Sequence, residues 1–397
     1  MLSGVNVALG VTGSIAAVTN VELIHELRRR GAEVRVLMTE SATEIVHPWS
    51  LELASENPVA TEISGAVEHV KMGGVDGWAD VYLIAPSTAN TVGKMAGAID
   101  DTPVTTMATT AMGSGVPIVI APAMHKPMYD HPGVLDAIEQ LEEWGVSFVD
   151  PRIEEGKAKI ATQDAIATET ARAAAANPLA GQHVVVTAGA TSESFDPVRV
   201  LTNRSSGRTG REVAKACYVR GADVTLVHGQ IGPRPVDAEP ATPETNDPAY
   251  ADLVSVETAS EMIDACREVA GDADVLVSTA AIGDYTRDAA DEKLRSGQDL
   301  TLDLEPTPKL LDSIRETHPD LPMVGFKVET SGDDDAMTRE ARDLRDRVGL
   351  EFVVANDASV MGETDTRTLF VDDGRTEVVG SKADIGSRVA AELVEIL

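Results

Sequence analysis

Several apolar runs in this 397-residue chain end in residues that can do chemistry. The run "VALGV" leads into "TGSIAA" (12–17), which would set backbone N–H groups and small hydroxyls at a helix start, where they can hold a phosphate. The full GxGxxG spacing is missing, so a dinucleotide is disfavoured, and a tight strand-to-helix turn needs small residues in any case. A later run ends in "APSTANTVGKMAG", with Ser87, Thr88 and Asn90 just past Pro86; an N-capping cluster would look the same. Another ends in "APAMHKPMYDHP", a proline-stiffened loop carrying Met124, His125 and Met128, equally readable as a turn with core methionines. His69, in "VEHVKMGG" on an expected loop, is a candidate general base.

The second half carries a denser set. "TAGATSESFDPVRVLTNRSSGRTG" (187–210) places Asp196, Arg199, Asn203 and Arg204 ahead of Ser205, Ser206 and Gly207, which open a helix. Small hydroxyls, glycine and arginine at a helix start suit an anion, and a structureless connection of that length is more often functional than idle. "STAAIGDY" ends a strand with Asp284, suited to a base, a ribose or a metal; "DEKLRS" supplies Lys293. "VGFKVET" and "VVAND" end later strands with Phe326, Lys327, Asn356 and Asp357. Each alone reads equally as a turn; their convergence at the carboxyl ends of parallel strands is what argues for a site.

The elements that must position these groups follow from periodicity. In the first half short β-branched runs alternate with single amphipathic stretches: "NVALGV", "EVRVLM" and a helix to about Leu53, "VYLIAP", "PIVIAP", then "SFVD". That rhythm predicts parallel βαβ units and a doubly wound sheet. "ATETARAAAANPLAGQ" passes from an alanine-rich helix to Asn-Pro and Gly, so a boundary is expected near Pro178, with domains 1–177 and 178–397. The second domain repeats the rhythm, includes an acidic proline-containing loop "PVDAEPATPETNDPAY", and closes with "RTLFVDDGRTEVV", a hairpin signal with Asp-Gly at its turn, and a helix. The fold class expected is α/β, two tandem doubly wound domains, flavodoxin-like or Rossmann-like.

Composition bounds the partners. The chain has 65 acidic against 33 basic residues, a formal net charge of −32, and 43% hydrophobic residues, enough to fill two cores. So anionic a surface repels nucleic acid and acidic lipid. No run of 18 apolar residues occurs and the first residues lack a basic n-region, so neither a membrane span nor a signal peptide is supported and a cytoplasmic location is expected. Cys217 and Cys266 lie far apart in expected helices without CxxC spacing, which points to buried fillers rather than disulfides or zinc.

The order "GVTGSIAA", "MTESA", "EH", "APSTANT", "PAMHKPM", over about residues 3–165, resembles the homo-oligomeric flavin-containing cysteine decarboxylases, in particular phosphopantothenoylcysteine decarboxylase. The resemblance implies FMN with its phosphate near Gly13, Ser14 and Thr39, isoalloxazine contacts around Ser87, Thr88 and Asn90, His69 as catalytic base, and substrate contacts from Asn90, Met124 and His125. The flavin of that family oxidises the cysteinyl thiol to a thioaldehyde, whose C=S takes up electrons as CO2 leaves, and then returns them. Two departures stand out: His125 replaces an asparagine, and "EEGKAKIA" (154–161) replaces a flap with a reactive cysteine.

The combination "DPVRVLTNRSSGRTG", "AAIGDY", "EKL", "TPKLL", "VGFKVET" and "VVAND", over about residues 179–397, is similar to phosphopantothenate-cysteine ligase, so the whole chain resembles the fused bifunctional coenzyme A biosynthesis proteins in their archaeal form. The resemblance implies CTP activation of phosphopantothenate as an acyl-cytidylate, displacement of CMP by cysteine, and Mg2+ to offset triphosphate charge. By motif, Asn203 turns over the acyl-cytidylate, Arg199, Ser205, Ser206 and Gly207 hold phosphate, and Asp284, Lys293, Pro308, Lys309, Leu310, Leu311 and Phe326 line the nucleotide site. Arg342, Arg345 and Arg347 stand where spaced lysines are usual, with Leu344 and Val348 near the lysine positions, and arginine is a planar fork rather than a point charge. Arg345 and Arg347 are expected at the nucleotide. Ala190 replaces a glycine, and Ala280 and Ala281 are expected near a dimer interface. The resemblance further implies trimers of the flavin domain and dimers of the ligase domain.

Two of the chain's ten lysines, Lys157 and Lys159, fall in the flap segment, and no cysteine precedes Cys217. They would close over substrate or serve as acid if burial lowers a pKa; equally, the alternation in "KAKIA" fits a short strand with both facing water. The diffuse acidic excess resembles the proteomes of salt-loving archaea, and activity and folding should therefore hold or rise in molar KCl; a maximum in dilute buffer would contradict a saline habitat.

Overall fold

Runs of Val, Ile and Leu with no polar side to show to water belong in the middle of a sheet covered on both faces. Their placement is seen in a computed structural model, which describes residues 1–154, 156–229, 248–295, 297, 299–329, 333–357 and 365–397. The chain forms two compact units, Met1–Ala176 and Asn177–Leu397. Residues 235–247 of the acidic proline-containing loop, and the Asp357 side chain, lie outside the described residues.

The first unit contains β1 (Asn6–Val11), β2 (Glu33–Met38), β3 (Val59–Ala60), β4 (Val81–Ser87), β5 (Ile118–Pro122), β6 (Met124–His125), β7 (Ser147–Phe148), β8 (Arg152–Glu154) and β9 (Lys157–Lys159). Six of them make a sheet in the order β3-β2-β1-β4-β5-β7, with every neighbouring pair parallel. This is the Rossmann order, not the flavodoxin one. Every residue of β4 is buried. Tyr82, fully buried, donates its hydroxyl to the Val104 carbonyl at 2.9 Å, and its ring passes so close to β1 that only a glycine fits at position 10.

Two expectations need correction here. The single helix expected up to Leu53 is two, Glu40–Thr43 and Pro48–Ser55, because Pro48 cannot supply a helical N–H and instead begins a new helix capped by His47. His69 lies not in a loop but on the helix Glu68–Gly73. The carboxylate of Glu68 takes hydrogen bonds from the Ser64 hydroxyl and N–H and is thereby held down at about 2.

The second unit contains β10 (His183–Ala188), β11 (Ser192–Asp196), β12 (Arg199–Thr202), β13 (Asp223–Gly229), β14 (Asp252–Val256), β15 (Val275–Ser278), β16 (Tyr285–Thr286), β17 (Glu305–Pro306), β18 (Met323–Glu329), β19 (Phe352–Asp357), β20 (Asp365–Val371) and β21 (Thr376–Ser381). The main sheet runs β14-β13-β10-β15-β18-β19-β20-β21. It is parallel as far as β19 and then antiparallel through the β20–β21 hairpin, whose turn contains Gly374 as the Asp-Gly signal predicts. Alternate residues feed two cores: Val184 and Val186 one face, Val185 the other. Cys217 and Cys266 are buried on helices as expected, and burial pushes both thiols up to about 12.

The connection 187–210 is not structureless. It folds into the antiparallel pair β11–β12, closed by Asp196, whose buried carboxylate accepts from Val198 N, Arg199 N, Leu294 N and the Arg199 guanidinium. Removal from water pushes this carboxyl up, but the Leu294 and Val198 N–H groups and Arg199 outweigh that and hold it well below the usual carboxylate range.

Helices Arg208–Val219 and Lys382–Ile396 pack backbone to backbone at Gly386, where an added Cβ would sit 2.5 Å from the Glu212 carbonyl oxygen. Gly386→Ala should therefore force the pair apart and cost about 1–3 kcal/mol, read as a lower denaturation midpoint; an unchanged midpoint would show that the contact yields freely.

Candidate functional site

In each unit the sheet reverses its winding between its first and fourth strands in chain order, and the loops leaving those two strands diverge to leave a crevice at the carboxyl edge. The first unit's crevice lies between β1 and β4. There the Thr12 N–H and hydroxyl both donate to the Pro86 carbonyl, at 3.3 and 2.8 Å. The Ser14 hydroxyl reaches the Ala123 carbonyl beyond β5 at 3.0 Å. A Cβ on Gly13 would strike the Ser41 side chain, and Ser41 lies 3.1 Å from the Thr39 hydroxyl, which itself caps Ala42 N. Gly13, Ser14 and Thr39 thus form one small-residue cradle. Its helix is a short 3-10 turn, Ile15–Thr19, before the α-helix Asn20–Arg29.

Across the crevice Thr88 caps the helix Ala89–Ala96 through Thr91 N, Asn90 is exposed, and the Ser87 hydroxyl is buried without a hydrogen-bond partner, as is Nδ1 of His69. Asn20, fully buried, donates to the Ala85 carbonyl at 3.0 Å and leaves its Oδ1 unpaired. Such groups cost about 1–3 kcal/mol each until something bonds them. No hydrogen bond joins His69 to the Ser14 and Ser87 group among the described residues.

The loop carrying Met124 and His125 meets the "EEGKAKIA" segment: Met124 pairs with Ala158 and His125 with Lys157 in the three-stranded sheet β6-β9-β8. Ala158 is buried between the two lysines. Lys159 binds Glu154 at 2.9 Å, which draws that carboxyl below its usual range, while Lys157 is exposed and has no ion partner among the described residues. The strand alternation was legible, and the tertiary fold separates the two lysines, one paired and one not.

In the second unit the crevice lies between β10 and β15. Thr191 N donates to the Ala281 carbonyl and Ala281 N to the Gly189 carbonyl. The Asn203 amide also donates to Ala281, at 2.6 Å, while its oxygen faces Ser205 N at 3.3 Å. The Ser205 hydroxyl accepts from Gly207 N at 3.4 Å, and Gly207, at a φ of +68°, opens the helix Arg208–Val219. Ser206 is exposed beside them. Arg199 is spent on Asp196 and the Leu294 carbonyl, so it braces the loop and presents only part of its fork.

A cavity of about 190 Å³ opens beside this crevice, lined by Asp284, Pro308, Lys309, Leu310, Leu311 and Arg347. Its cations are already neutralised: Lys309 binds Asp284 and Arg347 binds Asp312, each at 2.5 Å. Three expected members stand elsewhere. Arg345 turns to Asp373 in the β20–β21 turn. Lys293 is exposed next to Leu294 on the Asp196 brace. Phe326 packs on the sheet face opposite the one that holds Leu310 and Leu311. Leu344, near an expected lysine position, is in the lining, whereas sequence reasoning missed Ser278, Thr307 and Asp312; the signal for Thr307 was its place before Pro308–Lys309, where its hydroxyl ties to the Gly283 carbonyl. No group of three His, Cys, Asp or Glu side chains among the described residues is arranged to hold a metal ion unaided, and no helix among them is long and apolar enough to cross a membrane.

Residues 1–175 match the Flavoprotein family, and residues 179–397 match the DNA/pantothenate metabolism flavoprotein C-terminal domain. The chain is 44% identical, over 93% of its length and 89% of the relative's, to the coenzyme A biosynthesis bifunctional protein CoaBC of Thermococcus kodakarensis. It is 33% identical to that of Bacillus subtilis over 100% of this chain and 98% of the other, and 31% identical to that of Methanocaldococcus jannaschii over 100% and 95%. With both units matched in one uninterrupted chain, this chain belongs to the family of coenzyme A biosynthesis bifunctional proteins.

Proposed function

We propose that residues 178–397 join cysteine to 4′-phosphopantothenate, consuming CTP and releasing CMP and pyrophosphate, and that residues 1–177 decarboxylate the phosphopantothenoylcysteine formed to 4′-phosphopantetheine with FMN. The observation that carries the reading is the cavity in which Asp284, Pro308–Leu311 and Arg347, separated by up to 63 positions in sequence (347 − 284), meet beside Asn203's crevice.

In the first unit the residues fit a flavin: a small-residue cradle at Gly13, Ser14 and Thr39 suits its phosphate, and the orphaned Ser87 hydroxyl, with Thr88 and Asn90, suits a polar ring edge. The bound flavin supplies the two-electron oxidation, and later reduction, that lets the cysteinyl carboxylate leave as CO2. Asn90, Met124 and His125 orient the substrate, and His69 takes a proton through a ring nitrogen. With Lys159 held by Glu154, Lys157 is the flap lysine left to meet substrate.

In the ligase unit Lys309 and Arg347, each released from its carboxylate, receive the triphosphate, and a Mg2+ carried by the nucleotide would offset the remaining triphosphate charge. Lys293, Arg345 and Phe326 stand outside this lining and are given no part in holding the nucleotide. Ser205, Ser206 and Gly207, braced by Arg199, take a phosphate, and Asn203 polarises the acyl-cytidylate carbonyl for attack by the cysteine amine. Ile15, Trp49, Leu53 and Val75 of the flavin domain, 77, 75, 82 and 86% exposed, support an oligomer that covers them; a trimer of that domain, and a ligase dimer near Ala280 and Ala281, are what the family resemblance implies. Light scattering should give a multiple of the 41.8 kDa chain mass; a monomer would leave these side chains unexplained.

The deciding assay supplies FMN, phosphopantothenate, cysteine, CTP and Mg2+ and follows CO2, CMP and phosphopantetheine. CMP without CO2 would favour a ligase with an inactive flavoprotein half, and flavin and nucleotide binding without either product would favour a regulator. His69→Asn should lower decarboxylation by about 10²–10⁴-fold with an unchanged flavin spectrum, and Lys157→Met should slow it while Lys159→Met does not; loss of flavin from the first variant would make His69 structural. Asn203→Ala should let acyl-cytidylate accumulate, detectable by mass spectrometry after acid quench, and unchanged turnover would remove its assigned role.

A further inference from the structure

One half-buried histidine behind the ligase crevice has no part in the roles above. His228 lies on β13 and is partly buried. Its Nε2 faces Nη1 of Arg211 at 2.7 Å and its Nδ1 faces the Gly229 carbonyl at 2.7 Å. A guanidinium only donates and a carbonyl only accepts, so the ring must be neutral with its proton on Nδ1. The same ring is wedged between two loops: a Cβ on Gly189 would come within 2.9 Å of its Cε1, and one on Gly207 within 2.6 Å of its Nε2.

Arg211 passes the restraint on. Its Nη2 donates to the Ser206 carbonyl at 2.8 Å. Because the peptide is planar and trans, fixing that carbonyl toward Arg211 turns the Gly207 N–H the opposite way, toward the Ser205 hydroxyl. Ser206, on the other side of that peptide, is exposed, and Ser205 is partly so.

We propose that His228 is a positioning residue for phosphate binding at residues 205–207: the neutral imidazole holds Arg211, and Arg211 holds the Ser206–Gly207 peptide with its N–H turned to receive a phosphate group. The inference rests on the ligase reading of that loop. Burial and the Arg211 charge both lower the ring's pKa from the ordinary 6.5, against a smaller opposing effect of the Gly229 carbonyl. A histidine whose folded pKa is depressed contributes above its ordinary value and loses that contribution as pH falls through the folded one, because a protonated Nε2 would confront Arg211 donor to donor.

The test uses the full chain and follows CMP release with CTP and phosphopantothenate varied separately, so that the two possible sources of the phosphate are told apart. Calorimetric titration with pyrophosphate alone accompanies it. His228→Ala should raise KM for one of the two substrates by about tenfold, the effect of one charge-assisted hydrogen bond, with kcat within about twofold, and should weaken pyrophosphate if the loop holds the nucleotide. His228→Gln, which keeps an acceptor for Arg211 and a donor for Gly229, should restore KM and abolish the rise in KM expected of the wild type as pH falls through the depressed His228 pKa. Unchanged KM values in His228→Ala, or an acid rise that persists in His228→Gln, overturn the proposal; the Gln variant and the pH profile decide it even if the Ala variant does not fold. CMP formed by the wild type alongside unaltered His228 variants would sink this inference alone, whereas a wild type that neither forms CMP nor binds pyrophosphate would sink the ligase reading with it.

Discussion

A parallel sheet cannot turn back on itself with a short loop. Each strand must be reached by a right-handed crossover, and where the winding changes direction two adjacent strand ends send their loops to opposite faces. The backbone groups at those ends lose their ladder partners and must find others. In the first unit Thr12 turns to the Pro86 carbonyl; in the second Thr191 and Asn203 both turn to Ala281, and Thr279 to Thr187. These cross-crevice bonds to backbone carbonyls bring together residues 74 to 92 positions apart, and the candidate flavin cradle and the candidate acyl-transfer loop both depend on them.

Electrostatics sharpen the same picture. In a chain of formal charge −32, cations are held where they matter by specific carboxylates: Arg199 by Asp196, Lys309 by Asp284, Arg347 by Asp312, Lys159 by Glu154. The exposed pairs contribute little stability in water, so the Lys309 and Arg347 pairs open at small cost. Asp196 differs. Its side chain is fully buried and takes three backbone N–H bonds besides Arg199, so this pair fixes the hairpin and is not available for exchange.

The elements and their order could be read from period and composition: "VYLIAP" and "HVVVTAG" became central strands, "DDGR" a hairpin turn, and both cysteines buried fillers. Errors arose where one residue outweighed a pattern. Pro48 split a helix, and the run after Val67 coiled into the short helix that carries His69. The stretch 187–210 reads as loop because its serines, threonine and glycines mask an alternation that only pays off once β11 and β12 pair. Arg345 and Arg347 are two residues apart on one helix, so they point in different directions, and which of them reaches the cavity depends on where that helix docks.

By itself the sequence determined the class of each half, the spacing of small and polar residues at strand ends, and, through motif order, the family. Local backbone preference and burial are enough for that, since they act over a few residues at a time. Only the tertiary structure decided which groups share a site: that Met124 and His125 lie against Ala158 and Lys157, that Phe326 faces away from Leu310, and that His228 stands behind Ser206 through Arg211. Those are contacts across sheets and between helices, set by register and packing rather than by the order of residues along the chain.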